Sequence, residues 1–181
     1  CFAAIAMSEY ALASGDRTYA EKALDLFKRI LRNLATPGLL EPKYLPTLQA
    51  RGHSITMILI NTASRIRAAI SDPILDTQIN ESIAAIRRYF MHPEFKALLE
   101  MVGPDGELID TCNGRVINPG HCIETAWFIL EEAKHRHWDK DLVQMGIRIL
   151  EWSWEWGWDK EYGGIINFRD CRNFPVQDYS Q

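Results

Sequence analysis

Asn118-Pro119-Gly120-His121-Cys122-Ile123-Glu124-Thr125-Ala126-Trp127 is where a loop hands over to a helix. Asn-Pro-Gly breaks any preceding pattern. Apolar residues then return at Ile123, Ala126, Trp127 and Leu130, the spacing of one helical face. His121 and Glu124 are three residues apart and share a side of the first turns. That first turn also carries backbone N–H groups without intrahelical partners and the positive end of the helix dipole. An imidazole and a carboxylate held there can move a proton on a bound polar substrate. The same spacing also describes a histidine beside a helix cap with a solvated glutamate.

The pattern is helical on both sides of this stretch. Downstream, helices are expected over about 121–136 and 139–155, the second with a stripe of Leu142, Met145, Ile149, Trp152 and Trp156. After Gly157-Trp158-Asp159, the segment Gly163 to Phe168 reads as a short strand. Upstream, about 91–120 reads as non-helical, with Leu98 to Val102 and Glu107 to Ile109 flanking the turn Gly103-Pro104-Asp105-Gly106. Asn113-Gly114 marks another turn. A loop this long inside a helical domain is more often functional than idle.

Four helices precede it. The first, about 1–14, has apolar positions Phe2, Ile5, Ala6, Tyr10 and Ala13; the second, about 17–35, has Tyr19, Ala23, Leu26, Phe27, Ile30 and Leu34. Pro42 and Pro46 keep the following segment extended. The third, about 53–70, turns Ile55, Leu59, Thr62, Ile66 and Ile70 inward, and the fourth, opening at Pro73, has Leu75, Ile79, Ile83, Ile86 and Phe90. Short turns at Ser14-Gly15-Asp16 and Trp138-Asp139 make antiparallel hairpins. Three such hairpins in succession suggest a solenoid or a closed toroid. Cys1 is no initiator methionine, and a helical pattern is already running at Phe2. Residues 1–181 are therefore expected to be one incomplete domain from the middle of a longer chain.

Composition narrows the function. Twenty basic residues against 24 acidic ones, scattered, give a net charge of −4 and no electrostatic support for nucleic-acid binding. No apolar run is long enough to span a bilayer. Cys1, Cys112, Cys122 and Cys171 show no CxxC spacing and read as free thiols of a reducing, cytoplasmic compartment, not as a zinc site. His92, His135 and His137 read as solvent-exposed, and the last two lack helical ligand spacing, so no metal is expected. The six tryptophans read as a packed aromatic core. Nothing matches GxxxxGK[ST], the phosphate-cradling loop. His53, after Arg51-Gly52, either faces the cleft or serves as a simple cap. Trp127 is either core or an exposed ring. Trp158-Asp159 reads as a structural turn.

Asn118-Pro119-Gly120-His121 through Glu124, Ala126 and Trp127, followed by Gly157-Trp158-Asp159 with Gly163-Gly164, resembles the N-acylglucosamine 2-epimerase family, also called renin-binding protein. Cys1-Phe2, Ala6-Met7, Glu9, Gly15, Met57 to Asn61 and Asn173-Phe174 with Gln177 extend the resemblance in consistent order along the family's middle part. The resemblance implies an all-α fold, part of an (α/α)6 barrel of helical hairpins with short β-hairpins in its loops. It implies a sugar 2-epimerase interconverting N-acetylglucosamine and N-acetylmannosamine by removing and returning the C2 proton through an enediolate. Related enzymes act on cellobiose or isomerise mannose and fructose, and the renin-binding name keeps a binding protein in view. In this pattern His121 is one of two acid/base histidines and Glu124 an active-site carboxylate that holds His121 or a substrate hydroxyl. His53 and Trp127 are candidate substrate contacts. The second histidine and a substrate-binding arginine fall outside this chain, so the chain alone is expected to be inactive. The resemblance requires no cofactor, leaves ATP open as an allosteric activator, and implies a homodimer in the full-length protein.

Overall fold

A computed structural model describes residues 1–40 and 48–176; the extended segment expected around Pro42 and Pro46 lies outside them. Among the described residues the helices are α1 (Phe2–Ser14), α2 (Arg17–Ala35), α3 (His53–Ala69), α4 (Pro73–Ala85), α5 (Pro119–His135) and α6 (Lys140–Gly157). The strands are two residues each: β1 (Arg51–Gly52), β2 (Met91–His92), β3 (Ala97–Leu98), β4 (Met101–Val102), β5 (Val116–Ile117) and β6 (Arg169–Asp170). The chain divides into two compact units, Cys1–Gln49 with Ile58–Ile83, and Ala50–Met57 with Ala84–Gln181.

In the first unit α1 and α2 form the expected hairpin. Gly15, at φ 74°, ends α1 in the left-handed conformation and donates its N–H to Ala11 O. Asp16 then caps α2 by accepting from Thr18 N. The buried faces differ from those expected. α1 buries Ala4, Ser8 and Ala11, and leaves Phe2 76% and Tyr10 53% exposed. Small side chains let the two helices approach closely. α1 is apolar on most sides, so periodicity could not choose its face. α2 correspondingly buries Ala20, Ala23, Leu24 and Phe27 and exposes Leu34. In α3, Leu59, Thr62 and Ile66 are buried as expected, but Ile55 is 38% exposed. α4 keeps its whole stripe: Leu75, Ile79, Ile83, Ile86 and Phe90 are all buried, the last two on a single π-helical turn over Ile86–Phe90.

The second unit is built on the α5–α6 hairpin, whose interior holds Ala126, Phe128, Ile129, Ala133, Leu142, Met145 and Ile149. Each fully buried isoleucine contributes about 1.5–3 kcal/mol. Asp139 caps α6, accepting from Leu142 N over 3.0 Å. The Trp156 indole N–H donates to Phe95 O over 3.1 Å and so ties the end of α6 to the β2–β3 turn. The close approach of α6 to the start of α5 depends on Gly157, where a Cβ would stand 2.5 Å from Pro119 Cβ. A pyrrolidine ring cannot rotate away. Gly157→Ala is therefore expected to lower stability by about 1–3 kcal/mol, the usual cost of overpacking. A urea midpoint equal to that of the wild type would contradict this.

The loops also depart from expectation. The turn at Gly103 forms, with Gly106 N donating to Gly103 O over 3.0 Å. β4, however, pairs antiparallel with β1, not with Glu107 to Ile109. Met101 and Val102 are both buried, and the segment leading into α3 supplies their main-chain partners. β2 pairs with β3, and β5 with β6. The strand expected over Gly163 to Phe168 shrinks to one bridge, Trp158 with Ile165, because Gly163 and Gly164 sit at φ 73° and 91°, outside strand geometry. The tryptophans do not form a core: Trp127, Trp138, Trp154 and Trp158 are exposed, with Trp154 and Trp158 stacked at 4.9 Å. His92, expected in solvent, is buried, its Nδ1 3.0 Å from Glu94 Oε1. His135 and His137 are exposed as expected.

Candidate active site

Asn118 leaves β5 in extended conformation and its side chain accepts from His121 N over 3.1 Å, closing the first turn of α5. Pro119 occupies the first helical position, where its missing N–H costs nothing. Together they fix His121 in the third helical position. Asn118→Ala is expected to cost about 1 kcal/mol, the usual worth of an N-cap. A thermal melt checks this; an unchanged melting temperature would contradict the cap.

The carboxylate that meets His121 is that of Glu100. It stands in the run Ala97-Leu98-Leu99-Glu100-Met101-Val102, whose other five members are buried. Its main chain is held on both sides: Glu100 N donates to Val116 O over 3.2 Å, and Glu100 O accepts from His53 N over 3.0 Å. Glu100 Oε1 lies 2.9 Å from His121 Nδ1 and 3.6 Å from His53 Nδ1. The glutamate side chain is 18% exposed and His121 is 39% exposed. Burial alone would raise the Glu100 carboxyl. The two imidazoles outweigh burial and hold it down at about 2.

An ionised carboxylate only accepts hydrogen bonds, so His121 Nδ1 carries a proton, and in the neutral ring the lone pair falls on Nε2. A carboxylate behind one imidazole nitrogen with a basic lone pair on the other is the arrangement of an oriented general base. The positive end of α5 adds a field that favours negative charge developing in front of it.

The carboxylate on His121 is thus that of Glu100, while Glu124, expected to hold His121 or a substrate hydroxyl, is half-buried one turn further along α5. His53 is fully buried behind Glu100, and its Nε2 meets Thr125 Oγ1 at 3.0 Å. It reaches His121 through Glu100 and Thr125. Trp127 is 49% exposed, not core, and its ring leans on Phe128 at 5.1 Å. It follows His121 by six residues, which turns it about 120° around the helix. Trp158-Asp159 is the structural turn expected: Asp159 Oδ1 accepts from Glu161 N and Tyr162 N. The Tyr162 and Glu161 amides hold its carboxyl below the usual range. Cys122, beside the site, is no nucleophile. Burial and then the Glu100 charge push its thiol far up, and it donates to Leu98 O. All four cysteines are unpaired, as expected. Among the described residues no group of three potential metal ligands converges, and no helix is long and apolar enough to cross a membrane.

Sequence reasoning passed over Glu100 and Thr125. The signal for Glu100 was present: a lone carboxylate inside an apolar run of buried-strand character is costly unless paired. Thr125 was a hydroxyl on the otherwise apolar face of α5.

Similarity to known proteins agrees with the geometry. Bovine N-acylglucosamine 2-epimerase is 29% identical over 176 residues, covering 94% of this chain and 41% of the bovine one. Human N-acylglucosamine 2-epimerase is 29% identical over 188 residues, covering 98% of this chain and 42% of its own. The chain thus spans about two fifths of the length of these curated relatives. Among solved structures, cellobiose 2-epimerase from Bacillus thermoamylovorans B4167 superposes with a TM-score of 0.77 at 16% identity, covering 93% of this chain and 47% of that one. A sugar epimerase from a ruminal bacterium gives 0.74 at 19% identity, covering 97% and 48%. The fold is accordingly all-α and part of an (α/α)6 barrel, with short strand pairs in its loops. The model of the N-acylglucosamine 2-epimerase (GlcNAc 2-epimerase) family matches residues 1–181, and the chain belongs to that family.

Proposed function

We propose that this chain carries one half of a two-base sugar 2-epimerase site, interconverting N-acetylglucosamine and N-acetylmannosamine. The observation that carries the proposal is the His121 imidazole, part-exposed at the start of α5, with Glu100 on Nδ1. In an open-chain sugar the C2–H bond lies beside the C1 aldehyde and is weakly acidic. His121 Nε2 takes that proton, the electron pair moves into the C1–C2 bond, and an enediolate forms. A proton returned to C2 from the opposite face gives the epimer. Glu100 stabilises the imidazolium formed in the first step, and Glu124 holds a substrate hydroxyl. Trp127 offers an apolar face to the sugar.

The second base and a substrate arginine would come from chain that the family has and these residues do not include, so the chain alone is inactive in this reading. No metal or cofactor is needed for this proton transfer. ATP enters at most as an allosteric activator, and the active protein is a cytoplasmic homodimer. A second reading, a cellobiose or mannose 2-epimerase or an aldose–ketose isomerase, has support in the superposition on cellobiose 2-epimerase and on a D-mannose isomerase, the latter at TM-score 0.68 and 17% identity.

The active enzyme incubated separately with N-acetylmannosamine, mannose and cellobiose, and followed by NMR, chooses between them. Conversion of N-acetylmannosamine with the highest kcat/KM is expected. Preference for an unacylated sugar would favour the second reading, and binding without conversion of any would leave a binding protein on this scaffold.

A further inference from the structure

The end of α6 borders a cavity of about 590 Å³. That lies within the usual size of ligand sites, about 300–1,000 Å³. Its walls come from the last turn of α6, the loop from Trp158 to Glu161, Arg169 of β6 and Asn173. Neither His121 nor Glu100 lines it, but the start of α5 is its neighbour: Arg169 pairs with Ile117, and Gly157 stands against Pro119. Several contacts hold the walls before any ligand arrives. The Trp156 indole N–H donates to Phe95 O and Lys96 O over 3.1 and 3.0 Å, and Arg169 Nε donates to Trp156 O over 3.1 Å. Trp154 stacks on the Trp158 ring at an interplanar angle of 11°, and Trp158 is still 37% exposed. Asp159 N donates to Gly164 O and Gly163 N to Asp159 O, both over 3.0 Å, which closes the turn around Lys160. Asn173 sits at φ 59°, with its backbone N–H on Asp170 O.

The chemistry of these walls selects a class of ligand. Three carboxylates, Glu155, Asp159 and Glu161, stand beside two cations, Lys160 and Arg169, and Lys96 Nζ lies 3.6 Å from Glu155 Oε2. The fixed charges therefore balance, and a net charge on the ligand gains little. Among the described residues no group of three potential metal ligands converges, so the carboxylates do not form a metal site. The walls offer carboxylate acceptors, guanidinium, ammonium and amide donors, and an indole. A hydroxyl group both donates and accepts, so a ring of hydroxyls can satisfy carboxylate and guanidinium together. The C–H face of a pyranose suits the negative face of the indole. We propose that this cavity is a second saccharide site, outside the His121 site, which takes a neutral pyranose in its closed-ring form. The proposal goes beyond the reading of His121 as a base and does not rest on it.

Methyl β-glucopyranoside is the probe. Its anomeric carbon is locked, so the ring cannot open and its C2 proton never becomes acidic. The full-length protein is labelled with 5-fluorotryptophan, and the Trp158 resonance is assigned with Trp158→Phe. Adding the glycoside should shift that 19F resonance saturably, and should do so with the same affinity in His121→Asn. Inorganic phosphate should leave the resonance in place. Asn173→Gly removes an amide from the wall, and glycine takes the left-handed backbone without strain. It should weaken glycoside binding about two- to tenfold, the worth of one hydrogen bond. An unmoved Trp158 resonance, a shift with phosphate, loss of the shift in His121→Asn, or equal affinity in Asn173→Gly would each overturn the proposal. A cavity filled by other parts of the full-length protein gives the first of these results. No arm needs turnover, so this proposal and the sugar chemistry at His121 fail separately.

Discussion

Replacing His121 by asparagine is expected to lower C2 epimerisation by the active enzyme about 10²–10⁴-fold, the usual contribution of a positioned acid–base group. The amide can still donate to Glu100 from roughly the position of Nδ1, so the buried carboxylate is not stranded. The Asn118 side chain accepts from the backbone N–H of residue 121, which any residue but proline supplies. Substrate binding and the melting temperature should therefore change little while kcat collapses. That split separates loss of the base from loss of the fold. Turnover within a few-fold of wild type would remove His121 from the mechanism.

Glu100→Gln is expected to act on both rate and acid stability. An amide facing His121 no longer demands a proton on Nδ1 and does not stabilise the imidazolium, so kcat should fall about 10²–10⁴-fold. The stability effect follows from the Glu100 carboxyl being held at about 2, down from 4.5. Such a group stabilises the folded chain when the pH is above its unfolded value, and that contribution disappears as the pH falls from about 4.5 towards 2. A depression of that size corresponds to about 3 kcal/mol. Urea midpoints measured from pH 6 down to pH 3 should therefore drop more steeply in the wild type than in Glu100→Gln, because glutamine does not titrate. Parallel curves would mean that Glu100 is not held ionised by its histidines.

The parts legible in the sequence were those set by local chemistry. Helix boundaries followed Gly15, Asp16, Pro73, Asn118 and Asp139, because caps and breakers act within a few residues. The α4 stripe was readable because its large apolar residues lie on one side only. In α1 they lie on most sides, and the buried face was decided by which side allowed α2 to approach. Pairings between distant segments were not legible. β4 meets β1 across about 50 residues of chain, and no turn chemistry near Gly103 announces it. The same limit applied at the site. His121 was found from its helix start, but its carboxylate partner arrives from a loop 21 residues earlier in the chain. Local spacing therefore pointed to Glu124, three residues away, and could not show that Glu100 stands 2.9 Å from His121 Nδ1. The tryptophans misled for a different reason: indole is large enough to be half-exposed at a helix end and still well held, as the stacked Trp154 and Trp158 are.

The claim that His121 moves the C2 proton of a sugar is tested most directly by running the active enzyme in heavy water with N-acetylmannosamine and reading C2 by NMR. Solvent deuterium should enter C2 of the product, and this incorporation should vanish in His121→Asn. Epimerisation that retains the original hydrogen at C2, or exchange that survives in His121→Asn, would contradict it.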